Sequence, residues 1–137
     1  MPTELFLPLL AHVGLALMLV FATAGLRLRA IASGAVRPRD IVLGQRAWPA
    51  SVQKVSNAFQ NQLELPILFY LAVIVAALAG LSGGVLIGLM WAWVGLRYVH
   101  AAIHVTTNHL LMRFLAFGAS TLVLVLIWIV VAMQVLS

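Results

Sequence analysis

The sequence contains no cysteine and only three acidic side chains, Glu4, Asp40 and Glu64. The missing cysteines exclude disulfides, thiolate metal ligands and a cysteine nucleophile. Charge of either sign is scarce, at 8% of 137 residues, where a soluble domain carries about 25%. Long repeats, low-complexity tracts and strand-like alternation are absent as well. No basic region precedes the first apolar run, so that run is expected to be retained rather than cleaved as a signal peptide.

What is present is apolar. Hydrophobic residues make up 64% of the chain and the mean hydropathy is +1.13, values of an integral membrane protein. The length allows one domain, 1–137. Four apolar stretches, about 5–26, 54–80, 85–106 and 112–136, each approach the ~20 residues that cross a bilayer. The spacing predicts an all-α, integral membrane four-helix bundle with an even number of spans.

The long polar connection is loop 27–53. Six of the eight Lys and Arg fall between Arg27 and Lys54, with Arg29, Arg37, Arg39 and Arg46 among them. Such a cluster is a topology signal rather than a nucleic-acid surface, and it predicts a cytoplasmic loop with both termini on the opposite side. Trp48 beside Pro49 reads as an interfacial anchor. His12, in the first stretch, is expected to bond a backbone carbonyl or a neighbouring helix.

The second stretch opens on polar residues. Asn57, Gln60, Asn61 and Glu64 fall at i, i+3, i+4 and i+7, one face of a helix. A carboxylate at the centre of a membrane helix costs roughly 2.5 kcal/mol or more, so this face invites a functional reading. Pro66 removes a backbone donor and predicts a kink just past Glu64. The third stretch carries Arg97, His100 and His104 on one face of its own. Antiparallel pairing puts Glu64 and Arg97 at the same depth, roughly 13 Å from the boundary at 1.5 Å per residue. Asn61 then faces His100, and Asn57 faces His104. Arg113, opening the fourth stretch, points a further cation at the same end.

Interhelical glue accounts for one ion pair, but more polar groups gather here than one pair needs. Three chemistries suit a polar cavity at this end. His100 and His104 with Glu64 have metal-ligand spacing, but Arg97 and Arg113 would oppose a cation, and no metal is expected. A proton relay through Glu64 and the histidines lacks the inverted repeats of a transporter. The third is capture of an anionic, amphipathic ligand by arginine and amide groups.

The motif Asn57-x3-Asn61-x2-Glu64-x-Pro66, continued by Leu68-Phe69-Tyr70, resembles the second-helix signature of the MAPEG family, membrane-associated proteins in eicosanoid and glutathione metabolism. The resemblance extends to the basic loop, to Arg97-x2-His100-x3-His104 and to Arg113, and is nearest to the family's bacterial branch. It implies a homotrimer of four-helix bundles in the inner membrane. It also implies a glutathione-dependent transferase or peroxidase acting on hydrophobic small molecules that enter from membrane lipid. On this resemblance, Arg113 stabilises the glutathione thiolate, and Lys54, Asn57, Asn61, Glu64, Arg97, His100 and His104 bind glutathione, the co-substrate. The chain departs from the family pattern at Asn57, where glutathione-binding members have an arginine, at Leu65, an aromatic elsewhere, and at His100 and His104, elsewhere tyrosines. These departures keep open an alternative, a non-catalytic scaffold or small-ligand-binding protein of the same fold.

Overall fold

The computed structural model describes residues 3–44 and 47–137. Arg46, one member of the basic cluster, lies outside them. All regular structure in the described residues is helical. A short 3₁₀ turn, Thr3–Leu5, leads into α1, Phe6–Ala32; α2 is Ala50–Gln60, α3 Pro66–Leu78, α4 Gly84–Val105 and α5 Leu110–Leu136. Of these, α1 with its leading turn, α4 and α5 are long and apolar enough to cross a membrane, and α3 is a shorter apolar helix.

Two boundaries correct the expectation. The first helix runs on through Arg27 and Arg29 to Ala32, so the connection to α2 is 33–49 rather than 27–53. Arginine at a membrane boundary extends its head toward water while its backbone stays helical, so a charge does not by itself end a helix. The end comes where Gly34 takes a φ of +74°, a left-handed conformation that suits glycine.

The second correction is larger. The stretch 54–80 is two helices, because Pro66 has no N–H for the Gln62 carbonyl and disfavours helical geometry at Leu65. Proline is instead well placed as the first residue of a new helix, which is where Pro66 sits in α3. Between the two helices, Gln62 N–H donates to the Phe59 carbonyl at 2.8 Å and Leu63 N–H to the Gln60 carbonyl at 2.9 Å. These tight i→i−3 bonds draw in the end of α2 before the chain restarts.

The helices pack most extensively as α4 on α5, with α1 on α2 and α2 on α4 next. The main apolar core lies between α3, α4 and α5. Phe69 and Trp93 stack there with ring centroids 4.0 Å apart and planes 17° apart, over Met90, Leu124 and Ile127. A smaller core of Leu15, Leu19, Ala58 and Ala101 joins α1, α2 and α4. This packing gathers the end of α1, all of α2, the end of α4 and the start of α5 at one end of the molecule, and the polar residues collect there.

Candidate functional site

The break at 61–65 decides which polar side chains meet. It turns Gln62 inward, 1% exposed, and leaves Glu64 on the surface. Gln62 Oε1 accepts from Arg97 through Nε at 3.2 Å and Nη2 at 3.0 Å, and Gln62 Nε2 donates to the Ala58 carbonyl at 3.1 Å. His12 Nε2 lies 3.1 Å from the same Oε1, and His12 Nδ1 lies 2.7 Å from the Tyr70 hydroxyl. Because the amide oxygen can only accept, the network assigns the ring proton to Nε2 and makes Nδ1 the acceptor for Tyr70.

Arg97 is fully buried. Besides Gln62, its Nη2 donates to the Asn61 carbonyl, a group that the break leaves outside the helical ladder. Its guanidinium also lies 5.9 Å from the Trp93 ring centroid, within reach of a cation–π contact. The helix break and the buried cation thus satisfy each other. The chain frees a carbonyl between two helices, and a side chain from α4 supplies the donor.

The expected Glu64–Arg97 ion pair does not form. The ion pairs among the described residues are Arg37–Asp40 at 2.9 Å and Arg39–Asp40 at 3.9 Å. A continuous helix would have aligned Glu64 with Asn57 and Asn61; the break rotates it off that face. Glu64→Gln is therefore expected to change stability in detergent by less than about 0.5 kcal/mol, the range of surface substitutions. Thermal unfolding with Arg97→Gln and the double variant checks this. A non-additive loss would show that the carboxylate and guanidinium do touch.

The other pairings shift by about a turn. Asn61 Nδ2 lies 3.4 Å from His104 Nε2 and donates to the Asn57 carbonyl at 2.9 Å, so its hydrogen bond goes to His104 rather than to His100. Asn57 Oδ1 accepts from Gln53 Nε2 at 2.6 Å, and its link to His104 runs through the Asn61 amide. Lys54 Nζ donates to the Thr106 carbonyl at 3.1 Å, meeting the negative end of α4. His12 bonds neighbouring segments, as its position in the first stretch suggested.

Arg113, His100 and Asn61 come together. They line a cavity of about 250 Å³ whose remaining walls are Leu110, Phe114 and Phe117. Arg113 lies in the first turns of α5, and its Nη1 donates to Asn108 Oδ1 at 2.9 Å. Asn108 itself takes a φ of +54° in the tight turn after α4, a conformation asparagine tolerates. The turn therefore fixes the arginine. Two buried nitrogens of residues lining this cavity, Arg113 Nε and His100 Nδ1, have no hydrogen-bond partner, nor does His104 Nδ1 on the next turn of α4. The His100 and His104 rings stand edge-on, with centroids 5.6 Å apart. A cation, imidazole edges and an amide beside two phenylalanines can receive an anion or polar peptide at one side and an apolar group at the other.

Reading the residues in isolation misses Gln62, Tyr70 and Trp93. Gln62 falls off the four-residue polar stripe, and Tyr70 and Trp93 look like ordinary apolar wall. The available signal is Pro66, which breaks the helical phase just where Gln62 lies.

A family model described as the MAPEG family matches residues 5–133. No curated protein and no solved structure matches the chain.

Proposed function

The chain belongs to the MAPEG family, and from that premise we propose that it is a glutathione-dependent transferase or peroxidase acting on lipophilic electrophiles, assembled as a homotrimer of four-helix bundles. The observation that carries this reading is Arg113, held by Asn108 in the first turns of α5, with an unpartnered buried Nε beside the cavity. A guanidinium and a helix N-terminus are both positive, and together they favour a thiolate over a thiol.

The donor set fits glutathione. His100 and Asn61 have the polarity to meet its amides and carboxylates, and Phe114 and Phe117 give the cavity an apolar side. Glutathione supplies the thiol that becomes the nucleophile; the chain's part is to hold that sulfur and present it to a substrate arriving from lipid. Phe21 and Phe114, 73% and 69% exposed on α1 and α5, suit lipid or neighbouring copies, in keeping with a trimer. The basic end, with Arg27, Arg29, Arg37 and Arg39, faces the cytoplasm in this proposal, and the membrane is the bacterial inner membrane.

One observation favours the second reading, a ligand-binding protein of the same fold without glutathione chemistry. Lys54 is engaged with the Thr106 carbonyl and Asn57 with Gln53, leaving fewer groups for a peptide's carboxylates. Titration calorimetry of the purified protein with glutathione separates the two. Wild type is expected to bind at millimolar concentration or below. Arg113→Ala should bind roughly ten- to a hundredfold more weakly, the worth of a hydrogen bond to a charged group. No heat from wild type at millimolar glutathione would remove the glutathione reading and leave the second.

A further inference from the structure

Two cavities that share no lining residue with the Arg113 cavity adjoin at one arginine. The first, about 480 Å³, is polar, with Gln53, Asn57 and Gln60 along α2. The second, about 490 Å³, is mostly apolar and runs along the groove between α1 and α2. Both are lined by Arg27, Trp48, Ser56 and Gln60. Arg27 sits at the junction, with its guanidinium 5.0 Å from the Trp48 ring centroid and its Nη2 donating to Ser56 Oγ at 2.8 Å. Its Nε is buried without a partner. No carboxylate among the described residues pairs with it; Asp40 is engaged with Arg37 and Arg39.

The groove below Arg27 has one lining pattern. On α1 it is Val20, Thr23, Ala24, Arg27, Leu28 and Ile31, at i, i+3, i+4, i+7, i+8 and i+11, a single stripe along the helix. Opposite, α2 contributes Phe59, and Leu63 follows it. Thr23 leaves its hydroxyl out of the groove's polarity by donating to the Leu19 carbonyl at 2.8 Å. From Arg27 back to Val20 the stripe is roughly 10 Å long, much of the ~15 Å depth of one leaflet. A fixed cation at the membrane boundary therefore stands at the head of an apolar furrow that points into the bilayer.

We propose that this furrow binds an amphiphile with an anionic head and an acyl chain, the head on Arg27 and the chain along α1 between Val20 and Leu28. A guanidinium braced by Trp48 and Ser56 presents its free Nε edge to a phosphate or carboxylate. Ser56, 3% exposed, has its oxygen already engaged and fixes the arginine rather than the ligand. The site is separate from the Arg113 cavity and does not depend on any glutathione chemistry.

Two sources share this chemistry, an acidic phospholipid and a free fatty acid. The test reconstitutes the full chain in phosphatidylcholine nanodiscs doped with phosphatidylglycerol or, separately, with oleate, and counts retained adducts by native mass spectrometry. Wild type should retain the doped species and shed phosphatidylcholine; whichever dopant is held identifies the source. Arg27→Gln should weaken retention roughly tenfold, and Arg29→Gln, at an exposed position outside both cavities, should behave as wild type. Ala24→Trp fills the furrow while leaving Arg27 in place, and should also lose the adduct with helical content unchanged. Equal retention by wild type, Arg27→Gln and Ala24→Trp would overturn the proposal, as would equal retention of phosphatidylcholine. A fall in copies per particle with unchanged adducts per copy would assign the furrow to contact between copies and overturn it too.

Discussion

Replacing Gln62 by leucine lowers stability by about 3–5 kcal/mol, the cost of stripping a buried charge of its partner, even though leucine is the better membrane residue. Two of Arg97's hydrogen bonds end on Gln62 Oε1, and His12 reaches the same atom. Leucine leaves the fully buried guanidinium with the Asn61 carbonyl alone and deprives the imidazole of its acceptor. Ordinary hydrogen bonds between membrane helices are worth far less, about 0.6 kcal/mol on average, so the size of the loss tells which kind of interaction this is. Unfolding in mixed micelles measures it, with Gln62→Leu/Arg97→Leu as the control. The double variant removes charge and acceptor together and should recover much of the loss. A single-variant cost near about 0.6 kcal/mol would mean that Arg97 finds another acceptor.

Trp93→Ala should cost about 3–5 kcal/mol, the range for truncating a buried aromatic ring. The residue is fully buried. Its ring stacks on Phe69, lies 5.0 Å from the His12 ring centroid and 5.9 Å from the Arg97 guanidinium. Alanine therefore opens a void at the point where the apolar core meets the polar network. Trp93→Phe separates packing from hydrogen bonding. The indole Nε1 has no partner, so phenylalanine gives up no hydrogen bond, leaves a smaller void than alanine and should cost less than Trp93→Ala. The same unfolding measurement checks both variants, and equal losses would mean that a single six-membered ring does not keep the stack on Phe69.

Much of the helical content was legible from apolar runs, because a segment that crosses lipid must satisfy its backbone internally and so must be long and helical. That argument locates α1, α4 and α5, and it marks the asparagine-rich opening of the second stretch as unusual. Periodicity then fails at a particular residue. It treats 54–80 as one cylinder turning 100° per residue, and so sets Glu64 beside Asn61 and turns Gln62 away. Pro66 breaks the cylinder, after which the phase computed from Asn57 no longer applies. Arg113 was easier to place because its surroundings are local: a turn, a helix start and Asn108 five residues earlier. Arg27 was harder, since its neighbours Trp48 and Ser56 lie across a connection whose course depends on tertiary packing. A charge that reads as the end of a span proved to lie inside α1, and only the fold shows what stands beside it.

The short reach of α3 has a consequence for the membrane itself. Its 13 residues extend about 20 Å, while a hydrocarbon core is about 30 Å thick. The 27 residues of α1 and of α5 reach about 40 Å. A core that suits the long helices is therefore about 10 Å thicker than α3 is long, and α3 continues toward α2 only through the break at 61–65, where Gln62 accepts from Arg97. Hydrophobic mismatch costs fractions of a kcal/mol per Å, and of the apolar helices α3 is the one whose length differs most from the thickness that suits α1 and α5.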